Sequence, residues 1–306
     1  MAWVLANPLS DPNLMPTAIR LGGLFLVALL GILVVVKGRL DALGSNVLYQ
    51  RWRTWAMIAP LYLMGALSGG LPATLFTLLL TFQGAREFAH LTALPKRYRS
   101  VLYGMSLLPA PIALLSLDLY YALPPLLLIV ATAQPLLFRE SAGVRHLAFA
   151  ALGWGYIAWF LSHFVLITRW VDGGPGIILV MGAAIAMSDI GAFVFGKAMG
   201  RHKMAPRVSP NKTWEGAIGN VVGAAAALAI FAYALPGALR WELAILLPGL
   251  VAVGAVWGDL VESAIKREFA VKDAGAWLPG FGGLLDRIDS LLIVLPLTYY
   301  PIRLLS

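Results

Sequence analysis

Long stretches of this chain carry no charge, and each ends at a short polar interruption. Ile19 to Val36 holds one charged residue, Arg20, near its start. Uncharged runs of about 20 residues match the hydrocarbon thickness of a bilayer and read as membrane-crossing helices. Ten such runs are predicted, at 16–36, 55–69, 72–92, 101–117, 119–138, 146–168, 176–199, 214–235, 241–265 and 284–304. Several abut at Pro or Gly, as in GGLP at 69–72 and LPP at 123–125, so the expected count is nine or ten. The expected fold is therefore an all-α, polytopic integral membrane protein. The pattern divides it into 1–175, whose six apolar runs are nearly bare of charge apart from Arg86 and Glu87 at the end of the third, and 176–306, where the polar chemistry lies.

Composition agrees. The chain is 60% hydrophobic and 12% charged, with a mean hydropathy of +0.81, which excludes an ordinary water-soluble domain. The flank before the first run carries Asp11 and no basic n-region, so that run is expected to be a retained helix and not a signal peptide. The chain has no cysteine, which removes disulfides and thiolate metal sites. The net charge of +8 is read as loops facing anionic headgroups, with no nucleic-acid partner. Seventeen of the 23 Lys and Arg fall in loops after odd-numbered runs, and four in even loops and the two ends. Cytoplasmic loops carry the basic excess. All odd loops are thus expected in the cytoplasm, and both termini outside.

Three segments carry chemistry. SDIGAFVFGKAMGRHKMAPRVSPNKTWEG (188–216) places Asp189 inside an apolar run, where a carboxylate costs about 2.5 kcal/mol or more and reads as functional. Its SPNKTWEG portion resembles a helix start, with Ser209 or Asn211 as cap and Glu215 in the first turn. Backbone N–H groups there, with Lys212 and Thr213, would suit a phosphate. In GDLVESAIKRE (258–268), Asp259, Glu262, Ser263, Lys266 and Arg267 share one helical face. Asp259 directly follows an apolar run, which favours a ligand role over a solvated helix end.

LPGFGGLLDRIDS (278–290) adds Asp286 and Asp289 at i and i+3, after Gly280, Gly282 and Gly283, which let backbone approach a ligand. Asp259, Asp286 and Asp289 repel one another unless a proton or cation intervenes. An all-oxygen set without Cys or paired His points to Mg²⁺ rather than Zn²⁺. Lys266, Arg267, Lys272 and Arg287 surround these acids. Acids for Mg²⁺ beside bases for phosphate make a phosphoryl- or nucleotidyl-transfer site. No Walker A loop or GxGxxG turn is present.

The spacing Ser263-x-x-Lys266-Arg267-x4-Lys272-Asp273, then Pro279-Gly280-Phe281-Gly282-Gly283-x-x-Asp286-Arg287-x-Asp289, resembles the signature of the phosphatidate cytidylyltransferases, or CDP-diacylglycerol synthases. The upstream pattern from Asp189 through Ser209-Pro210-x-Lys212-Thr213-x-Glu215-Gly216 resembles that family too. The likeness is specific over about 188–290. It implies an integral membrane enzyme of the inner membrane that joins CTP to phosphatidic acid, releasing pyrophosphate and giving CDP-diacylglycerol at the cytoplasmic face. It also implies Mg²⁺, with a second cation as an option, and members that can form homodimers. Asp259, Asp286 and Asp289 would be metal ligands. Lys266, Arg267, Lys272 and Arg287 would neutralise phosphates, and Ser209 and Lys212 would help hold them. Thr213, Ser263, Asp273, Gly280, Gly282, Gly283 and Asp189 complete the expected substrate-binding set. Phe281 stands where the family pattern has histidine. Competing readings are a cytidylyltransferase for another lipid phosphate, a non-catalytic relative, and a transporter of phosphorylated metabolites. The transporter reading fits poorly, because the charges gather at one face and no repeat is visible.

Overall fold

In hydrocarbon no water is at hand to bond N–H and C=O groups, so apolar runs satisfy their backbone internally as helices. The structure, a computed structural model, describes residues 4–36, 43–139, 142–237, 240–271, 273–275, 277 and 282–305. The helices are α1 (Leu14–Val35), α2 (Val47–Leu67), α3 (Gly70–Leu91), α4 (Lys96–Ser106), α5 (Pro109–Leu115) and α6 (Leu117–Phe138). After them come α7 (Gly143–Gly153), a π-helical stretch (Trp154–Trp159), α8 (Phe160–Trp170) and α9 (Gly174–Met199). A two-stranded hairpin, β1 (Lys203–Ala205) and β2 (Ser209–Thr213), leads to α10 (Trp214–Phe231), α11 (Arg240–Glu268) and α12 (Leu285–Leu305).

Among the described residues seven helices are long and apolar enough to cross a membrane: α1, α6, the continuous α7–α8 rod, α9, α10, α11 and α12. The expected nine or ten is not reached by that measure, for two physical reasons. α2 and α3 have 21 and 22 residues, but Arg51 and Arg53 interrupt the first, and Gln83, Arg86, Glu87 and His90 the second. The run expected at 101–117 is not one helix. Pro109 has no N–H to donate back to the Met105 carbonyl, so α4 stops at Ser106 and α5 restarts with Pro109 in its first turn.

Polar contacts sort the helix ends into two groups. At one end of the bundle Arg97 Nη1 donates to the Phe138 carbonyl at 3.3 Å, and Arg267 Nε to the Val208 carbonyl at 3.5 Å. Glu87 near the end of α3 meets the start of α12 there. At the other end Trp170 Nε1 donates to the Ala113 carbonyl at 2.7 Å, and the Tyr121 and Tyr299 hydroxyls lie 2.8 Å apart. Thr17 Oγ1 and the Tyr233 hydroxyl, 2.6 Å apart, also lie at that end. These groups correspond to the odd and even loops that the Lys and Arg distribution separates. α4 begins in one group and α5 ends in the other, so the broken pair runs the length of an unbroken helix.

Small residues set the closest packing. A Cβ at Gly191 on α9 would overlap the Gly219 carbonyl on α10, and one at Gly219 would overlap the Gly191 carbonyl. Such positions let helix backbones touch where lipid offers no hydrophobic drive to associate. At the crossing of α11 and α12, a Cβ on Gly258 would overlap the Asp289 carbonyl. α1 is at the opposite extreme: of its 22 residues only Thr17 and Ile32 are buried.

Candidate active site

The segment expected as a helix start at SPNKT is β2, paired antiparallel with β1 in register Lys203↔Thr213 and Ala205↔Ser209. The helix begins one step later. Thr213, not Ser209 or Asn211, is its cap, and its hydroxyl oxygen accepts from Gly216 N at 3.1 Å. Glu215 lies in the first turn as expected, where its carboxylate accepts from His202 N and lies 2.6 Å from His202 Nδ1. The hairpin is thereby folded back over the end of α10. It presents Ser209, Asn211 and Lys212 to a cavity of about 400 Å³.

α9 contributes Asp189 to the same cavity, α11 contributes Asp259, and α12 contributes Asp286, Arg287 and Asp289. Gly258 explains how α11 and α12 deliver their acids together, since the two backbones meet at Gly258 and Asp289. Asp259, Glu262 and Asp289 each offer an oxygen within 4.8 Å of the other two. Glu262 and Asp289 are buried, and Glu262 Oε1 is a buried atom with no hydrogen-bond partner. Three close carboxylates with one orphaned oxygen and no sulfur donor fit a hard metal ion, and the cluster could hold one.

Asp286 is placed otherwise. Its Oδ1 lies 2.7 Å from Lys266 Nζ, and its Oδ2 accepts from Gly283 N at 2.9 Å and Ala274 N at 3.1 Å. Lys266 also bonds Glu262 Oε2 at 2.8 Å. The third carboxylate beside Asp259 and Asp289 is thus Glu262, while Asp286 anchors Lys266 and closes the turn before α12. Lys212 Nζ lies 2.6 Å from Asp259 Oδ2 and donates to the Val256 carbonyl at 3.2 Å.

Among the other expected residues, Ser263 is half-buried on α11 outside the cavity lining, and Arg267 is exposed against the hairpin. Asp273 is exposed near Gly282. Gly282 has φ +89°, a conformation open to glycine at little cost, and it turns the chain into α12. Lys272, Gly280 and Phe281 lie outside the described residues.

Two residues have places in the site that the sequence pattern does not assign. Glu262 was visible on the face of Asp259, one turn on. Glu87, on α3, accepts from Leu284 N at 3.0 Å and Leu285 N at 2.8 Å. It stands 197 and 198 residues away in the chain, and no local pattern links it to α12.

Fold and site together define a polytopic helical protein with carboxylates and cationic side chains around one cavity at one end of its bundle. Residues 49–305 match the cytidylyltransferase family, and the chain belongs to it. It is 32% identical over 269 residues to the phosphatidate cytidylyltransferase of Bacillus subtilis (strain 168), covering 84% of this chain and 98% of that protein. The phosphatidate cytidylyltransferase of Brucella suis biovar 1 (strain 1330) is 34% identical over 248 residues, 81% of this chain and 86% of that protein. An uncharacterised protein of Escherichia coli (strain K12), YnbB, is 37% identical over 262 residues, with coverages of 83% and 86%.

Proposed function

We propose that this protein transfers the cytidylyl group of CTP to phosphatidic acid, giving CDP-diacylglycerol and pyrophosphate. The observation that carries the reading is the meeting of Asp259, Glu262 and Asp289 within 4.8 Å, where Asp259 and Asp289 line a cavity also lined by Lys212 and Arg287. Membership of the cytidylyltransferase family and the names of the Bacillus and Brucella relatives support the substrates.

A phosphatidate oxygen forms a bond to the α-phosphorus of CTP. The bond from that phosphorus to the α–β bridging oxygen breaks, and pyrophosphate departs with the electron pair. The nucleophile is already anionic at neutral pH, so no general base is required. The obstacle is bringing two anions together. Mg²⁺, when bound by Asp259, Glu262 and Asp289, supplies Lewis-acid neutralisation of phosphate oxygens. Lys212 and Arg287 face the same space and offset negative charge, with the exposed Arg267 beside the hairpin. Lys266 is held by two carboxylates, which fixes its ammonium group and keeps α11 and α12 in register. Ser209 and Thr213 at the hairpin line the cavity and offer hydroxyl groups for phosphate oxygens, while Gly282 and Gly283 shape the turn before α12. Asp189, on the α9 wall, faces the nucleotide side. Ser263 and Asp273 lie outside the cavity lining.

The test is incubation of purified protein with labelled CTP, Mg²⁺ and phosphatidic acid, for the native chain and for Phe281→His. Labelled CDP-diacylglycerol and pyrophosphate from the native protein are expected. Phe281→His should change turnover modestly, because an imidazole donor assists a leaving group that is already good. An inactive native protein restored by Phe281→His would make it a non-catalytic relative. Turnover of a different lipid phosphate alone would reassign the acceptor.

The site is proposed to face the cytoplasm from the inner membrane, within reach of cytosolic CTP and membrane phosphatidate, with both chain ends outside. The division of Lys and Arg and the matching division of helix ends support this. The native chain has no cysteine, so Lys203→Cys in the exposed β1 strand adds one reporter. An impermeant maleimide should label it only after permeabilisation, and labelling in intact cells would invert the topology.

A further inference from the structure

The first turn of a helix leaves several N–H groups without partners. α12 starts at Leu285 after Leu284, and neither side chain can accept a hydrogen bond. The acceptor comes from α3: Glu87, buried at 6% exposure, takes Leu284 N on one oxygen and Leu285 N on the other. Gln83, one turn earlier, donates Nε2 to Glu87 Oε1 at 2.8 Å, and Arg86 Nη1 lies 3.3 Å from Gln83 Oε1. The carboxylate is thus oriented before it meets α12, and its charge suits a helix N-terminus.

Gly275 and Gly283 close directly on this group. A Cβ on Gly283 would come within 2.7 Å of Glu87 Oε2, and one on Gly275 within 3.1 Å of its carboxyl carbon. The next residue of α12 is Asp286, which holds Lys266, and one turn further is Asp289 of the acid cluster. We infer that Glu87 is a positioning residue for the catalytic end of α12: it sets the height and direction of the helix that carries Asp286 and Asp289, without touching the cavity. The inference rests on the proposed activity only for its effect on rate.

Glu87→Gln keeps the shape and replaces one acceptor oxygen with an NH₂ donor, so one of the two backbone N–H groups loses its partner. Displacements near 1 Å at a reacting centre cost about 10²-fold. A fall in kcat of about 10- to 100-fold is expected, with KM for CTP nearly unchanged. Hydrogen–deuterium exchange should speed up in 282–290 and stay native in α9 and α10. Glu87→Ala should show the same local pattern more strongly. If Glu87→Ala does not fold, Glu87→Gln decides alone. Native kcat with native exchange in Glu87→Gln would overturn the inference. So would exchange that rises equally in α9, α10 and 282–290, which marks a merely structural residue. Exchange needs no substrate, so a native protein that turns over no CTP sinks the activity reading while the placement of α12 is still decided.

Discussion

Asp289→Asn is expected to lower cytidylyl transfer on the order of 10³-fold while raising the thermal stability of the cation-free protein. The rate loss follows from removing one of the three carboxylates proposed to hold a metal ion. Single preorganised electrostatic contacts in active sites are worth about 10² to 10³ in rate. The stability gain follows from the same geometry. Asp259, Glu262 and Asp289 crowd within 4.8 Å, and Asp289 is buried. Lys212 and Lys266 partly offset Asp259 and Glu262, and without a metal ion the repulsion that remains at buried Asp289 works against the fold, which a neutral amide relieves. Asp286→Asn should also cost activity but with the opposite stability change. It removes one of the two carboxylates that hold Lys266, leaving the ammonium with Glu262 alone and loosening the tie between α11 and α12, so stability should fall. Turnover assays with melting curves in detergent and chelator separate the two. Near-native activity in Asp289→Asn, or stability changes of the same sign, would refute the division of labour between these neighbours.

Gly258→Ala should be nearly as damaging although it adds a single methyl group. That methyl would fall on the Asp289 carbonyl, a backbone atom that cannot rotate aside. Overpacking of this kind costs about 1–3 kcal/mol. The helices must separate where Asp259 and Asp289 converge, and a 1 Å misplacement costs about 10²-fold in rate. Gly249→Ala on the same helix is the control, because a Cβ there meets nothing within 4 Å and activity should persist. Equal kcat in the two variants would show that the close crossing is unimportant to the site.

The helices were readable because hydrocarbon punishes every alternative, so an apolar run of sufficient length has one solution. The failures came where that rule is silent. The 101–117 run is as apolar as its neighbours, and only Pro109 betrays the break between α4 and α5. β2 at Ser209–Thr213 is a five-residue strand containing Pro210, too short for alternation to show. The cluster was half visible. Spacing put Asp259 with Glu262, and Asp286 with Asp289, on shared faces. It could not say which carboxylate of each pair would turn to Lys266. That depends on how α11 crosses α12 at Gly258, a tertiary fact. Glu87 was invisible for the same reason, since its partners are backbone groups of α12 far along the chain.

α1, with two buried residues, stands apart from this economy of close contacts. Among the described residues its ties include Thr17 with Tyr233, the Trp52 indole on the Phe25 carbonyl and against the Phe25 ring, and Arg20 over the Tyr233 ring. The cytidylyltransferase match begins at residue 49, beyond it. For such a helix, insertion and docking are separate events. Lipid, not protein, is its solvent, so its persistence is a partition equilibrium set by side-chain transfer from water. Substitutions along it are felt as insertion free energy, residue by residue, whereas those in α11 and α12 are felt as geometry.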